Sequence, residues 1–191
     1  TLFPYTTLFR SREINGFGNI VAASGTLHQL SAASQSRWAS SVLANAGTNR
    51  ALSEGLMIQM CDNIRQASGQ KVSAIFTSLG VRRAYFNLLT QQRRYTDTKS
   101  FAGGMQGLPF NYGTEIPLVE DVDAPPSKMW FICEKEMAIL KAEDWTWADD
   151  DGAVFSRVSG YDAYDAFIYK YWELATRQRN AHGLLADITE G

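Results

Sequence analysis

The sequence predicts a mixed helix-and-strand domain, and three observations support this. Apolar residues recur every four positions from Leu52 to Ile64, which predicts an amphipathic helix over residues 50–68. A second apolar stripe at helical spacing covers residues 78–94, and runs of β-branched and aromatic residues surround both helices. The chain has 191 residues, of which 45% are hydrophobic and 20% charged, so one or two folded domains are expected and a disordered chain is excluded.

The charge, the cysteines and the apolar runs of the chain argue against nucleic-acid binding, a zinc site and a membrane span. With 18 Lys and Arg against 20 Asp and Glu, no basic excess indicates nucleic-acid binding. Cys61 and Cys133 lack the spacing of a zinc site, and we expect them to be small buried hydrophobic residues in a reducing compartment. The apolar runs are shorter than the roughly 20 residues of a membrane span, so no membrane partner is expected.

The ends of the two helices have local signals. Thr48 or Asn49 is predicted to cap the first helix, and Gly69 to end it in the left-handed conformation. Thr77 or Ser78 is predicted to cap the second helix. Its outer face carries four arginines, which could bind phosphate but are more typical of a solvated face or of salt bridges between subunits. These are Arg82, Arg83, Arg93 and Arg94.

The rest of the chain predicts mainly strands. Residues 14–26 are expected to be extended, and residues 31–49 to form a surface connector anchored by Trp38. Predicted strands cover residues 71–77, 115–122, 128–133 and 183–188. The remaining predictions are a loop over 101–113, a short helix over 134–140, and a hairpin that joins 145–148 to 153–158. The aspartates at 149–151 lack the ligand pattern of a calcium loop and indicate the turn of that hairpin.

Residues 161–174 form the longest extended stretch, and both of its faces are apolar or aromatic. Tyr169 and Tyr171 lie on one face, whereas Tyr164, Ile168 and Trp172 lie on the other. A half-exposed strand alternates apolar and polar residues instead. We therefore expect both faces to be covered, either within the subunit or by a neighbouring chain.

Catalytic motifs are missing from the sequence. His28 and His182 have no metal-ligand spacing, and there is no P-loop, nucleophile elbow or dinucleotide fingerprint, so no cofactor is expected. Four carboxylates could supply a pair for acid–base chemistry, although such residues are usually solvated. They are Glu134, Glu136, Glu143 and Asp144.

The first eleven residues have a separate explanation. Residues 1–11 are the in-frame translation of a common short-read sequencing adapter, and no Met begins them. We therefore expect residues 1–11 to be an artefact and the gene to be truncated at its 5′ end. An independently cloned gene encoding the same residues would contradict this.

Several short segments follow one another in a specific order. They are 18–21, 24–26, the helix that ends at Ser68 and Gly69, 77–86, 93–95, 103–104, 108–110, 116–119, 151–152, the aromatic strand, and 179–183. Each segment is weak alone. Their order over nearly the whole chain resembles that of tailed-bacteriophage major capsid proteins.

The resemblance implies an α+β fold, the tailed-phage major capsid (Johnson) fold in partial form. It implies a peripheral domain, made of residues 12–70 and 159–191, with a long sheet and a spine helix at 50–68. It implies an axial domain over residues 71–158. The N-terminal arm and the extended loop that precede this region in family members are expected to be missing.

The resemblance also implies a structural rather than enzymatic role, in which subunits form pentamers and hexamers that enclose DNA in a virion assembled in the host cytoplasm. The implied partners are other copies of the chain, and scaffold, portal or decoration proteins are further candidates. Sequence-specific nucleic acid is not expected. Aromatic anchors and charged residues are expected between subunits. These are Trp145, Trp147, Tyr169, Tyr171, Trp172, Arg82, Arg93, Arg94, Asp149 and Asp150.

Three alternatives stay open. An encapsulin-type nanocompartment shell protein would share the fold but enclose cargo enzymes. A small enzyme would require a pocket that gathers carboxylates with raised pKa values. A nucleic-acid binder built on the arginine helix would show steeply salt-dependent affinity for DNA.

Overall fold

The structure, a computed structural model, describes residues 14–91, 99–100, 106–149 and 152–191. The helical segments in these ranges are α1 (Phe17–Ile20), α2 (Glu54–Ser68) and α3 (Leu79–Gln91), with 3-10 turns at Ser36–Trp38, Glu134–Glu136 and Arg179–Ala181. The strands are β1 (Thr26–Leu27), β2 (Leu30–Ser31), β3 (Ser41–Leu43), β4 (Ala74–Thr77), β5 (Lys99–Ser100), β6 (Gln106–Asn111), β7 (Glu115–Glu120), β8 (Lys128–Ile132), β9 (Met137–Trp147), β10 (Ser156–Arg157), β11 (Tyr164–Asp165), β12 (Ile168–Thr176) and β13 (Gly183–Ala186).

A seven-stranded mixed sheet organises the fold. Its strand order is β3-β13-β8-β4-β7-β6-β5. The pairs β3–β13 and β4–β7 are parallel, and the other neighbours are antiparallel. We call this sheet, together with α2 and α3, the body. Away from it, β9 and β12 form a two-stranded antiparallel ribbon, and β10 and β11 form a small hairpin.

Both faces of the sheet are buried. Ile75 faces α2 and α3 within one apolar cluster, beside Leu118 and Phe131 on the neighbouring strands. The next residue, Phe76, faces the opposite side beside Trp130, where α1, the N-terminal segment and the base of the ribbon cover the sheet. Because successive side chains of a strand point to opposite faces, a sheet covered on both sides has strands that are apolar at every position.

Helix α2 begins one turn later than predicted. Ser53 is its cap, and the Ser53 hydroxyl accepts a hydrogen bond of 3.3 Å from the third following amide. The predicted caps Thr48 and Asn49 are wrong because Arg50 is tied to the C-terminal tail instead, in a parallel bridge with Ile188. The apolar periodicity of the sequence cannot show this tertiary contact.

Helix α3 begins where the sequence predicts. The Ser78 hydroxyl accepts a hydrogen bond of 3.4 Å from the Val81 amide and donates one of 2.8 Å to the Glu190 carboxylate. A carboxylate at this position is stabilised by the positive end of the helix dipole. A Cβ added to Gly80 would lie 2.4 Å from Glu190, so only glycine allows this close approach. The predicted end of the helix, residue 94, lies outside the described residues.

The predicted strands are confirmed with shorter ends, but several local predictions are wrong. Residues 134–140 form a 3-10 turn followed by the start of β9, not a helix. The hairpin predicted to join residues 145–148 to 153–158 does not form, because β9 pairs with the more distant β12. Part of the segment 14–26 is helical, as α1. For the two errors in residues 134–158, the long-range pairing of β9 with β12 overrides the local signal.

The loop predicted for residues 101–113 is also partly wrong, because β6 begins at Gln106. Proline and glycine suggested a loop there. Pro109 lies directly opposite Pro117 of β7. Two prolines can face each other here because the pair is a non-hydrogen-bonded one, in which the backbone nitrogens point away from the partner strand. Residues 101–105 lie outside the described residues.

The sheet combines all three segments that were predicted as domain parts. β3 comes from residues 12–70, β4 to β8 from 71–158, and β13 from 159–191. The ribbon likewise joins β9 and β12 across the second predicted boundary. The boundaries after residues 70 and 158 therefore do not follow the hydrogen-bonded sheets, and the assignment of peripheral and axial domains stays a prediction.

Arg179 holds the N-terminal segment against the body. Its side chain is only 2% exposed, and its guanidinium donates hydrogen bonds of 2.8–3.5 Å to five backbone carbonyls. These carbonyls belong to Asn19, Ile20, Ser24, Gly25 and Trp38. Burial lowers the pKa of Arg179, and the carbonyl dipoles offset the loss of water around the charge. Trp38 is the anchor of its segment as predicted, since its Nε1 donates to the Leu27 carbonyl at 3.1 Å.

The residues next to Arg179 fix the end of α2. Gly69 ends the helix in the left-handed conformation with φ 73°, as predicted. The side chain of Asn180 donates 2.8 Å to the Ala67 carbonyl, and that of Gln178 donates 3.1 Å to the Ser68 carbonyl. These bonds satisfy carbonyls that a helix end leaves free.

His182 lies in the core between two chain segments. Its Nδ1 accepts 3.2 Å from the Cys133 amide, so the neutral ring carries its proton on Nε2, which donates 2.9 Å to the Thr176 hydroxyl. Burial lowers the pKa of His182 to about 4. The neighbouring Gly183 allows α2 to touch β13, since a Cβ there would lie 2.5 Å from Met60. Cys61 and Cys133 are buried free thiols, as predicted.

Replacing Arg179→Met should lower the free energy of unfolding by about 3 kcal/mol, because buried carbonyls lose their donors. Urea denaturation measures this. The matched control is Arg177→Met, at an exposed position two residues away, which should change stability by no more than about 0.5 kcal/mol. Equal effects of the two substitutions would contradict the role of Arg179.

The free energy of unfolding should decrease as the pH is lowered from 6.5 to about 4. In this range His182 binds a proton in the unfolded state but stays neutral in the folded state. The folded pKa lies below the unfolded value, so this contribution is complete above pH 6.5 and lost on acidification. Its full size is about 3 kcal/mol. The test is the pH dependence of urea unfolding for the wild type and His182→Asn, which should have a shallower slope. An unchanged slope would contradict the assignment.

Candidate assembly interface

The ribbon of β9 and β12 extends from the body and is exposed at its outer end. Its base, near Met137 and Thr176, packs against the N-terminal segment and the sheet. Beyond the base, residues 139–147 are all exposed, and residues 168–172 are exposed or half-buried. We call residues 139–147 and 168–172 the outer ribbon. The β10–β11 hairpin lies in the connection between its two strands.

Two bulges shape the outer ribbon. β9 has eleven residues where β12 has nine, and the register shifts between Tyr169 and Tyr171 and again between Tyr171 and Trp172. Bulges increase the local twist and disturb the ladder along a strand edge. Charged Lys141 and Glu143 lie in the same part of β9. Both features oppose the addition of a further strand, so the outer ribbon offers its faces for contact more readily than its edges.

One face of the outer ribbon carries three tryptophans, two of which flank a lysine. The Lys170 ammonium lies 5.5 Å from the ring centre of Trp145 and 5.4 Å from that of Trp172, and it pairs with the Asp144 carboxylate at 3.1 Å. Trp147 lies on the same face, directly opposite Ile168. We call this the tryptophan face. Trp145 is 65% exposed and Trp147 is 51% exposed.

The opposite face is formed by tyrosines. The rings of Tyr169 and Tyr171 lie 5.3 Å apart, and the Tyr169 hydroxyl donates to the Glu143 carboxylate at 3.5 Å. The predicted alternation of residues along this strand is therefore confirmed. Neither face of the outer ribbon is covered by the part of the chain that the structure describes.

Three physical arguments favour a partner for such a ribbon. A two-stranded hairpin alone in water is marginally stable. A large contiguous apolar surface on a monomer indicates a contact site. Tryptophan and tyrosine are the residues most enriched at the energetic centres of protein interfaces. Within the described residues the chain itself does not cover the outer ribbon, and its coverage by a neighbouring chain stays a prediction.

Of the charged residues predicted for contacts between subunits, the structure describes Arg82 and Asp149. Arg82 pairs with Glu120 of the same chain at 2.6 Å, with both side chains partly exposed. Asp149 is exposed at the end of β9. Arg93, Arg94 and Asp150 lie outside the described residues, so their role stays a prediction.

The carboxylates considered for catalysis do not form a pocket. Glu143 and Asp144 lie on the exposed outer ribbon, bound to Tyr169 and Lys170. A surface cavity of about 580 Å³ between residues 69–73 and 133–135 is lined by Glu134 and by no other acidic residue. Within the described ranges, no three His, Cys, Asp or Glu side chains are placed to hold a metal. None of the helices there has both the length and the apolar character of a bilayer span.

Sequence reasoning missed Lys170 and the hairpin aromatics as site residues. A lone lysine between aromatic positions of one strand could have indicated the cation–π contacts, because residues two apart share a face. Three strongly exposed aromatic residues around the hairpin, Phe155, Tyr161 and Tyr164, were not among the residues predicted for contacts between subunits. Their positions depend on the β9–β12 pairing, which local signals did not predict.

Replacing Lys170→Met should raise the pKa of Asp144 towards its ordinary value, because the Lys170 hydrogen bond is the main cause that lowers it. Carboxyl-carbon NMR titration measures this pKa. Lys141→Met is the matched control, since Lys141 lies 4.0 Å from the same carboxylate and contributes least. A larger shift with Lys141→Met would contradict the arrangement of the tryptophan face.

Comparison with known proteins agrees with the predicted resemblance. The family model of the SU10 major capsid protein matches residues 7–189. Among curated proteins, none matches the sequence. Among solved structures, a chain of the cyanophage A-1(L) capsid asymmetric unit is similar, with a TM-score of 0.61 and 21% identity over 88% of this chain and 56% of that one.

A second solved structure is the SrpI encapsulin complex of Synechococcus elongatus PCC 7942. Its chain has a TM-score of 0.52 and 11% identity, over 78% of this chain and 52% of that one. The chain thus spans about half the length of these two solved relatives. The likenesses confirm the predicted α+β capsid fold, and the family model identifies a structural rather than an enzymatic protein. The chain belongs to the family of SU10 major capsid proteins.

Proposed function

We propose that the chain is a structural subunit of an icosahedral phage head, in which copies of it form pentamers and hexamers that enclose the DNA genome. The observation that carries this proposal is the outer ribbon, whose two aromatic faces are exposed in a member of a capsid protein family. Identical subunits that contact one another through different surfaces close into rings, and rings can tile a shell.

The two ends of the ribbon support this role in different ways. The base is fixed to the body: the Glu173 carboxylate is buried and accepts 2.8 Å from the Asn15 amide, and Leu174 packs beneath the sheet. The outer end can therefore project from a rigid support. A rigid projecting surface loses little conformational entropy on binding, which favours repeated association.

The charge of the chain fits a wall that surrounds DNA. The formal net charge is −2, and Arg82 of the arginine helix is paired with Glu120. The chain has no excess of cations to neutralise phosphates, so tight salt-dependent DNA binding is not expected. Scaffold, portal and decoration proteins are further candidate partners, and assembly in the cytoplasm of a bacterial host follows from a phage origin.

An encapsulin-type shell is the second candidate function, favoured by the likeness to the SrpI complex. The phage head is preferred because the family model is that of a phage capsid protein and the cyanophage capsid gives the higher TM-score. Neighbouring genes separate the two candidates. Terminase, portal and protease genes accompany a phage head, whereas a cargo-enzyme gene accompanies an encapsulin.

Negative-stain electron microscopy of the polypeptide encoded by the complete gene tests the proposal. Closed shells built from pentamers and hexamers are expected. A polypeptide that stays monomeric at its highest soluble concentration would contradict the proposal.

Replacing Trp147→Ser should raise the critical concentration for assembly at least tenfold, because an exposed aromatic anchor is lost. The fold of the subunit should remain, since the side chain is half-exposed in the monomer. Light scattering measures assembly, and circular dichroism checks the fold. Val122→Ser removes an apolar side chain that is exposed in the turn after β7, away from the ribbon, and should leave assembly unchanged. Equal effects of the two substitutions would contradict the role of the ribbon.

A further inference from the structure

Helix α3 has an apolar and basic cavity on its outer face. The cavity measures about 510 Å³ and is lined by Leu79, Arg82, Arg83 and Phe86, which share one helix face by their three- and four-residue spacing. Leu79 is 48% exposed and Phe86 is 55% exposed, although both are large hydrophobic residues. The opposite face of α3 is buried in the body, so these side chains do not belong to the core.

The two arginines of this cavity differ in their partners. Arg82 is held by Glu120 at 2.6 Å. Arg83 is exposed and forms no salt bridge with any residue in the described ranges. The cavity therefore combines two apolar side chains with one available cation. This combination fits an aromatic ring that stands beside a carboxylate.

The tip of the β10–β11 hairpin has this complementary chemistry. Tyr161 is 73% exposed in the turn at the tip, and the exposed Asp162 follows it directly. Two backbone hydrogen bonds fix the turn. The Val158 amide donates to the Ala163 carbonyl at 3.0 Å, and the Tyr161 amide donates to the Val158 carbonyl at 3.3 Å. The aromatic ring and the carboxylate are thus presented together on an ordered support.

Other aromatic residues on the ribbon fit the cavity less well. Trp145 also follows an aspartate, but the Asp144 carboxylate is already paired with Lys170. Tyr164 and the aspartate after it lie within the paired strand β11, and not at a projecting turn. Only at the hairpin tip, among these three candidates, are the ring (Tyr161) and the carboxylate (Asp162) both exposed at a turn, with the carboxylate not paired to Lys170.

We propose that the hairpin tip of one subunit docks into the α3 cavity of a second copy, with Tyr161 between Leu79 and Phe86 and with Asp162 paired to Arg83. The occupant is a second copy because the exposed hairpin tip carries the aromatic ring and the carboxylate that match the apolar side chains and the arginine of the cavity. Opposite charge and matching apolar surface on two different patches give a heterologous contact, which propagates around a ring. This inference rests on the proposed function and names a specific contact within it.

A charge-reversal cycle in the polypeptide from the complete gene tests this contact. Arg83→Glu and Asp162→Arg should each raise the critical concentration for assembly about tenfold, because like charges then face each other. The double variant should return to within about threefold of the wild type. Arg157→Glu, at an exposed position on the same hairpin, is the matched control and should behave as the wild type.

A second pair of variants tests the apolar half of the contact. Tyr161→Ser and Phe86→Ser should each weaken assembly, and the two together should be no worse than either alone, because both remove the same contact. Circular dichroism checks that each variant folds.

The outcomes separate this contact from the proposed function. Assembly of the wild type without recovery in the double charge reversal overturns the contact and leaves the shell function intact. Additive effects of Tyr161→Ser and Phe86→Ser on the critical concentration would also overturn the contact and leave the shell function intact. A wild-type polypeptide that never assembles overturns both proposals.

Discussion

The buried guanidinium of Arg179 is the interaction on which the rest of the structure depends. An arginine out of water requires hydrogen-bond acceptors for its donors, and here the acceptors are five backbone carbonyls of the N-terminal segment. The bonds fix that segment beneath the sheet. The same short turn also covers the end of α2 through Asn180 and places His182 between β8 and β12. One turn therefore joins the N-terminal segment, the helical layer, the sheet and the base of the ribbon.

This joint explains why the molecule has a rigid body and an exposed outer ribbon. The base of the ribbon leads directly into the Arg179 turn, and its last residues are buried against the body. The outer ribbon has no such support, and its tryptophan and tyrosine faces stay exposed. The chain thus combines a ribbon base that is fixed to the body with an exposed aromatic outer end. This arrangement suits contact between identical subunits more than chemistry on a substrate.

The sequence predicted the features that local periodicity determines. The stripe from Leu52 to Ile64 and the capping residues Ser78 and Gly69 are confirmed because an amphipathic helix and its ends have local signals. The pairing of β9 with β12 was missed, since an Asp-Gly turn suggested a hairpin with residues 153–158. The actual partner of Trp147 is Ile168, which lies beyond that predicted strand. Long-range pairing is decided by which surfaces bury each other, and a single sequence does not state this.

In the candidate interface, too, the sequence predicted the local features and missed those that depend on long-range contacts. The alternation of residues over 168–172 was predicted, since alternation along one strand is local, whereas residues 161–167 belong to the hairpin and the break after it and not to the same strand. The place of Lys170 between two tryptophans depends on a bulge in the facing strand, and the α3 cavity depends on which helix face the sheet leaves uncovered. The sequence order of capsid-like segments nevertheless identified the family, because order over a whole chain constrains topology more strongly than any one element.

The central claim is that neighbouring copies cover the outer ribbon, and hydroxyl-radical footprinting before and after assembly tests it most directly. The oxidation rates of Trp145, Trp147 and Trp172 report their exposure to solvent. Our account predicts that all three residues react readily in the free subunit and are strongly protected in the shell. Shells in which these tryptophans react as fast as in the monomer would contradict it.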